Sequence, residues 1–244
     1  MIYFLIPSYN DSHNFPKLLS NINKSTRKAK KVIIVSDGST DNTKEVLKGL
    51  SYKFLVKLLS YKPNRGPGFA FNHGFEYILN KANSNDVIIT MEADNTSDHK
   101  LVEKLIKGLE KSEVVLASPY AKKGGGIVGI SILRKLLSVV SNNLDKLLFR
   151  IPNVNTYTSF FRAYKVSALL KLKKGNRKNL IDENGFPSVV EILIRLHNSG
   201  ANITEIPSTV DWTNKSGKSH MNVTRTITRH LVVYKNYLQG NYSK

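Results

Sequence analysis

A chain of 244 residues that is 41% hydrophobic and 23% charged can bury one large α/β core and is too apolar for wholesale disorder. It has no cysteine, which excludes disulfide staples, thiolate metal sites and a cysteine nucleophile. With 37 Lys and Arg against 18 Asp and Glu, its formal charge of +19 favours phosphate-bearing substrates, anionic headgroups or nucleic acid, although a lysine-rich solvated surface gives the same number.

The first third alternates strand-like and helix-like segments. Residues 2–6 form an apolar run that reads as a buried strand, and 15–22 as a helix with Asn14 as cap and Pro16 in the first turn. A second strand is expected at 32–36, a helix at about 41–50 capped by Thr40 or Asp41, and a third strand at 54–59. A Gly-rich turn then leads to a helix at about 68–80 and a fourth strand at 87–91. This β-α-β-α order argues for a doubly wound, mostly parallel sheet with helices on both faces. The second half predicts strands at 114–118, 159–164 and 203–207. Its helices are expected at about 130–149, 188–199 and 223–238. The opening apolar run is too short for a signal-peptide core, and no run approaches the ~20 residues of a membrane span. A cytoplasmic protein, soluble or peripheral, is expected.

Acidic residues fall at the ends of predicted strands: Asp11 after the first, Asp37 at the second, and Glu92 with Asp94 after the fourth. In a doubly wound sheet such positions converge on one crevice beyond the carboxyl ends of the strands. Asp41 reads more simply as a helix cap. The histidines show no metal-site spacing, and His73 reads as a helix-surface residue. Trp212 suits either stacking on a sugar or base, or anchoring its own loop.

The motifs Pro7-Ser8-Tyr9-Asn10-Asp11, Asp37-Gly38-Ser39-Thr40-Asp41, Asn64-Arg65-Gly66-Pro67-Gly68 and Glu92-Ala93-Asp94 resemble, in order and spacing, the GT-A nucleotide-sugar glycosyltransferases of family two. The resemblance implies a GT-A nucleotide-diphospho-sugar transferase fold, a Rossmann-like, mostly parallel sheet. It implies a donor such as GDP-mannose or a UDP-sugar. Pro7, Tyr9 and Asp11 would line the nucleoside pocket, Asp37 would hold base or ribose, and Arg65 and Glu92 would complete the donor site. Asp94, with Thr96 beside it, would bind Mg²⁺ or Mn²⁺ at the donor diphosphate, where a hard oxygen ligand suits the ion. Glu92 departs from the usual D-x-D.

Further on, Gly124-Gly125-Gly126, Arg134-Lys135-Leu136-Leu137-Ser138, Thr158 to Tyr164 and Glu191 to Arg195 resemble the polyprenyl-phosphate branch of that family. The implied acceptor is a polyprenyl or dolichyl phosphate. Arg134 would be catalytic, gripping the acceptor phosphate with Ser138, Lys122 and Lys123. The implied layout is a single catalytic domain over 1–244. Residues 1–118 would bind the nucleotide sugar, 119–221 the acceptor, and 222–244 would form a terminal helix. Three departures stand out. Pro119 replaces an arginine, Asn214 replaces another with Lys215 and Lys218 left as diphosphate contacts, and His220 replaces a lysine.

Periodicity alone reads the helix at 130–149 as a core helix, because Leu133, Leu137, Val140 and Leu144 share one face while Ile132, Leu136 and Val139 make the other apolar too. The basic residues Lys122, Lys123, Arg134 and Lys135 at its start make an anionic membrane surface the competing partner. A phosphate acceptor also suits the catalytic inventory. A hydroxyl acceptor needs a carboxylate base, and where family-two enzymes carry a Glu-Asp pair this chain has Ser188-Val189, with Asp182 and Glu183 nearby. A phosphate monoester already bears a negative oxygen. Transfer to a glycan hydroxyl is the nearer alternative. A nucleic-acid-binding protein would explain the charge but not the strand-end acids, so no nucleic acid is expected.

Overall fold

The computed structural model describes residues 1–121, 124–175, 179–215 and 221–242. The chain opens β1(Ile2–Ser8), α1(Phe15–Ser25), β2(Lys30–Asp37), α2(Thr43–Lys48), β3(Leu55–Tyr61), α3(Pro67–Leu79) and β4(Val87–Thr90). There follow α4(Val102–Gly108), β5(Val114–Ser118), β6(Gly126–Val128), α5(Ile132–Phe149), β7(Arg162–Lys165), α6(Val166–Lys174) and α7(Ser188–Asn198). The last elements are β8(Ile203–Pro207), β9(Thr209–Asp211) and α8(Val223–Leu238).

Seven strands form one sheet in the order β3-β2-β1-β4-β7-β5-β8. All neighbours are parallel except β7, which runs antiparallel between β4 and β5. Strand side chains alternate between two cores, as the two-residue period requires. Tyr3, Leu5, Ile33, Val35 and Ile88 face a core with α3, α6 and α7. Phe4, Ile6, Val32, Ile34 and Ile89 face the other, with α1 and α4. Each fully buried Leu, Ile or Phe contributes about 1.5–3 kcal/mol. α1 places Phe15, Leu18, Leu19 and Ile22 inward at helical spacing, after Pro16 pre-sets its first turn.

Several expectations change. The segment 159–164 is not a strand throughout, because Phe161 donates its N–H to the Ser159 hydroxyl and pairing begins only at Arg162. Helix α2 starts at Thr43, and Asp41 serves its entry from outside by accepting from the Thr43 hydroxyl at 2.6 Å and the Ser12 N–H at 2.9 Å. Asn14 precedes α1 without a side-chain cap to it. The helices α4 and α6 and the short parallel pair β6–β9 were not expected.

The largest correction concerns α5, which is not a core helix. It begins two residues later than expected, capped by Ser131, and lies on the surface. Its polar residues Asn142 and Asp145 turn inward with Phe149, while Ile132 (88% exposed), Leu133, Leu136, Leu144 and Leu147 face outward. The inversion has a hydrogen-bonding cause. Asn142 accepts from the Tyr157 N–H at 2.8 Å, and Asp145 sits 2.7 Å from the His230 ring nitrogen and accepts from the Tyr234 hydroxyl at 2.9 Å. These bonds dock α8 beside α5. α8 adds exposed Ile227, Leu231 and Leu238 to the same apolar surface, an area of the kind that marks an interaction face. Among the described residues no helix is long and apolar enough to cross a membrane.

Candidate active site

The crevice forms where β1, β2 and β4 end. Pro7 sits in the last turn of the β1 ladder opposite Val35, and Tyr9 follows with its N–H 3.3 Å from the Asp11 carboxylate. Asn10 laces this loop to the next one. It accepts from the Thr40 N–H at 2.8 Å, while its own N–H reaches the Ser39 hydroxyl at 3.1 Å. Asp37 is buried, and its two carboxylate oxygens accept from the N–H groups of Arg65 at 2.7 Å and Gly66 at 2.8 Å. The carboxylate therefore pins the Asn64-Arg65-Gly66 turn onto the end of β2. Gly38 permits this approach: its φ is +70°, and a Cβ there would lie 2.4 Å from the Asn64 nitrogen. The Arg65 guanidinium lies over the Phe69 ring, 3.6 Å from its centre.

The acidic pair lies just past β4. Asp94 accepts from the Thr96 hydroxyl at 2.7 Å on one oxygen and from the Lys215 ammonium at 2.8 Å on the other. Glu92 accepts from the Ser97 hydroxyl at 3.0 Å. Burial, reinforced by the Asp94 charge, pushes the Glu92 carboxyl up to about 7. Among the described residues no cluster of three or more His, Asp or Glu stands ready for a metal. A divalent cation would rest on Asp94 and Glu92 with the donor's own oxygens. The site fits one: its donors are hard oxygens, and Asp94 already draws a positive group, Lys215, onto its outer oxygen. The Thr96 hydroxyl donates its proton to Asp94 and so steadies the carboxylate, while its oxygen lone pairs stay open to the cation that the resemblance assigns to this pair.

On the other side of the crevice, Arg134 sits in the first turn of α5 with its guanidinium carbon 5.7 Å from the centre of the Trp212 ring. The Lys215 ammonium lies 4.7 Å from the same centre. Trp212 thus lies beside both cations and links the two halves of the crevice, and its contact with Lys215 ties together its own loop. One turn after Arg134, the Ser138 hydroxyl accepts from the Tyr120 hydroxyl at 2.8 Å. Lys122, Lys123, Lys218 and His220 lie outside the described residues. Asp182 and Glu183 are occupied. Asp182 pairs with Arg195 at 2.5 Å, and Glu183 binds Arg229 and the Gly185 N–H. His73 packs against the Tyr61 and Phe69 rings instead of standing free on its helix.

Sequence reasoning missed Tyr120, Ser97 and the Asp145-His230-Tyr234 network. The signal for the last was present in Asp145, the single acid of its helix, which needs a partner when buried.

Comparison with known proteins bears on this geometry. The family described as Glycosyl transferase family 2 matches residues 3–172. A dolichol-phosphate mannosyltransferase of Pyrococcus furiosus is 29% identical over 208 residues, covering 84% of this chain and 55% of that protein. An undecaprenyl-phosphate mannosyltransferase of Micrococcus luteus is 24% identical over 206 residues, covering 84% and 81%. A probable glycosyltransferase of Bacillus subtilis, YdaM, is 28% identical over 199 residues, covering 74% and 42%. The chain thus spans about half the length of two of these relatives. Among solved structures, glucosyl-3-phosphoglycerate synthase from Mycobacterium tuberculosis superposes with a TM-score of 0.66 over 98% of this chain and 79% of that one, at 14% identity. That likeness shows the GT-A fold.

Proposed function

Because the chain belongs to glycosyl transferase family 2, we propose that this glycosyltransferase moves a sugar from a nucleotide diphosphate donor to a polyprenyl phosphate at an anionic membrane surface. One observation carries the acceptor assignment. Arg134 and Ser138, which the resemblance assigns to the acceptor phosphate, stand in the first turns of a helix whose outward side is a stripe of exposed aliphatic residues. A lipid phosphate needs that combination, a polar grip for the head beside an apolar bed for the tail. The Pyrococcus and Micrococcus relatives, a dolichol-phosphate and an undecaprenyl-phosphate mannosyltransferase, point to the same acceptor class. Asp182 and Glu183, the carboxylates near the missing Glu-Asp pair, are each engaged by an arginine, which disfavours their use as the base for a hydroxyl acceptor.

In this reading the donor lies across the strand ends. The 8–11 loop and the Asp37-pinned turn shape its nucleoside end, with Pro7, Tyr9, Asp11 and Arg65 around it. A bound Mg²⁺ or Mn²⁺ supplies charge neutralisation on the departing diphosphate, and the Mycobacterium neighbour was solved with Mn²⁺ and UDP. Arg134 presents the acceptor phosphate. Its oxygen forms the new bond to the anomeric carbon as the bond to the nucleotide diphosphate breaks. A single displacement of this kind inverts the anomeric centre.

The test is Arg134→Ala. Each charge-assisted hydrogen bond to the phosphate contributes roughly 1.5–3 kcal/mol, so transfer to a short polyprenyl phosphate should fall about ten- to a hundredfold. Nucleotide affinity measured by calorimetry should stay unchanged, and Arg134→Lys should recover only part of the rate because it lacks the planar fork. A loss confined to donor binding would move Arg134 out of the acceptor site.

A second expectation concerns the membrane. α5 and α8 carry Arg134, Lys135, Lys146, Arg225, Arg229 and Lys235, while their one acid, Asp145, is buried. The protein should co-sediment with vesicles containing anionic lipid far better than with neutral ones, since each basic residue near such a surface adds about 1 kcal/mol. Leu147→Glu, at a position 66% exposed, should leave the melting temperature unchanged and weaken vesicle binding at least about tenfold. Equal binding by this variant would show that the stripe does not touch lipid.

A further inference from the structure

The Asp94–Lys215 pair sits where the donor reading places a divalent cation, and it is more than a surface ion pair. The two side chains are only 14% and 19% exposed. The inner oxygen of Asp94 is taken by the N–H and hydroxyl of Thr96, and the outer oxygen by the Lys215 ammonium. Lys215 is in turn steadied by the Trp212 ring, and its backbone N–H closes the short turn over residues 212–214 by donating to the Trp212 carbonyl at 3.1 Å. The outer oxygen of Asp94 is therefore already charge-paired, and a divalent cation arriving there meets the repulsion of the ammonium.

We propose that Lys215 is a tethered counter-ion that exchanges with the divalent cation at Asp94. Resting on the donor-site reading above, this adds an interlock between cation and nucleotide. An ammonium bears one charge and a divalent cation two, so the cation wins the carboxylate only after displacing a partner that gains nothing from leaving. A diphosphate changes that balance by giving the freed ammonium a new anion. Cation and nucleotide then bind with positive coupling, and the carboxylate stays neutralised whenever both are absent. Coupling of this kind is reciprocal and typically amounts to about 5- to 150-fold in affinity. The chain keeps a flexible lysine here, able to swing between two anions, where a rigid guanidinium fork would hold one.

The experiment measures Mn²⁺ alone, from the free-ion electron paramagnetic resonance signal, against wild type, Lys215→Met, Lys215→Arg and Asp94→Asn, with melting curves as the check on folding. Lys215→Met should bind Mn²⁺ about tenfold tighter than wild type without nucleotide, and Lys215→Arg no tighter. Adding UDP or GDP should tighten Mn²⁺ binding by a larger factor in wild type than in Lys215→Met. If Lys215→Met binds Mn²⁺ no better than wild type while Asp94→Asn abolishes binding, the interlock is wrong and the cation site stands. If Asp94→Asn binds Mn²⁺ as wild type does, both the interlock and the donor-site reading fail.

Discussion

Asp94→Asn is expected to cut sugar transfer by a factor of about 100 to 1,000 or more, because the cation that would neutralise the negative charge developing on the departing diphosphate is no longer held. The substitution is nearly isosteric. An asparagine oxygen can still accept from the Thr96 hydroxyl, which sits 2.7 Å from the present carboxylate, so the local turn should survive. What disappears is the charge that attracts a cation, together with the ion pair to Lys215. That pair is largely buried, and losing it takes the carboxylate from the Lys215 ammonium, so it should cost about 1–3 kcal/mol of stability. The expected signature is a cooperative melting curve shifted down by several degrees, with transfer almost absent at saturating Mn²⁺ well below that transition. Turnover within about threefold of wild type would remove Asp94 from the reaction altogether.

The contrast between the two halves of the molecule explains how much of this was legible beforehand. In the first hundred residues β1 and β4 and the middle of β2 are apolar runs bounded by turn residues, and acids at three strand ends share one side of the sheet because parallel strands end together. The crevice with Asp11, Asp37, Glu92 and Asp94 follows from that pattern. The antiparallel insertion of β7 does not, because pairing direction depends on where the chain returns from. The helices α4 and α6 are short, and β6 and β9 have three residues each, too few for periodicity to register. α5 shows the limit most clearly. Its spacing marks an apolar side, but whether that side meets the core or the outside depends on Asn142 and Asp145 finding Tyr157, His230 and Tyr234. Trp212 likewise has two readings in the sequence, and its neighbours Arg134 and Lys215 are visible only in the fold. Thr96 was legible as a neighbour of Asp94 but not as its hydrogen-bond donor.

Arg162 should prove the most expensive side chain to truncate in the second half of the chain. It belongs to the Thr158-to-Tyr164 motif, yet it is fully buried and touches no crevice group. Its guanidinium donates to the Tyr157 carbonyl and to the Val189 carbonyl in the first turn of α7, both at 2.6 Å. Among the described residues no carboxylate forms an ion pair with it, and its Nε has no hydrogen-bond partner. The cation is compensated by two carbonyl dipoles alone, so it serves as a staple from β7 to the loop before it and to α7. Arg162→Ala leaves a void of aromatic size and strips the Tyr157 carbonyl of this donor, for a combined loss of about 3–5 kcal/mol. Arg162→Met fills most of the void and relieves the burial of a charge, so it should lose only about 1–2 kcal/mol. Denaturant titration of the two variants separates the contributions, since the Ala–Met difference reports packing and the Met–wild-type difference reports the polar staple. Because Tyr157 also holds Asn142 on α5, the Ala variant should lose vesicle binding along with stability, with nucleotide affinity retained in the fraction that remains folded. An Arg162→Ala protein within about 1 kcal/mol of wild type would mean that α7 and α5 are held to the sheet by their apolar contacts alone.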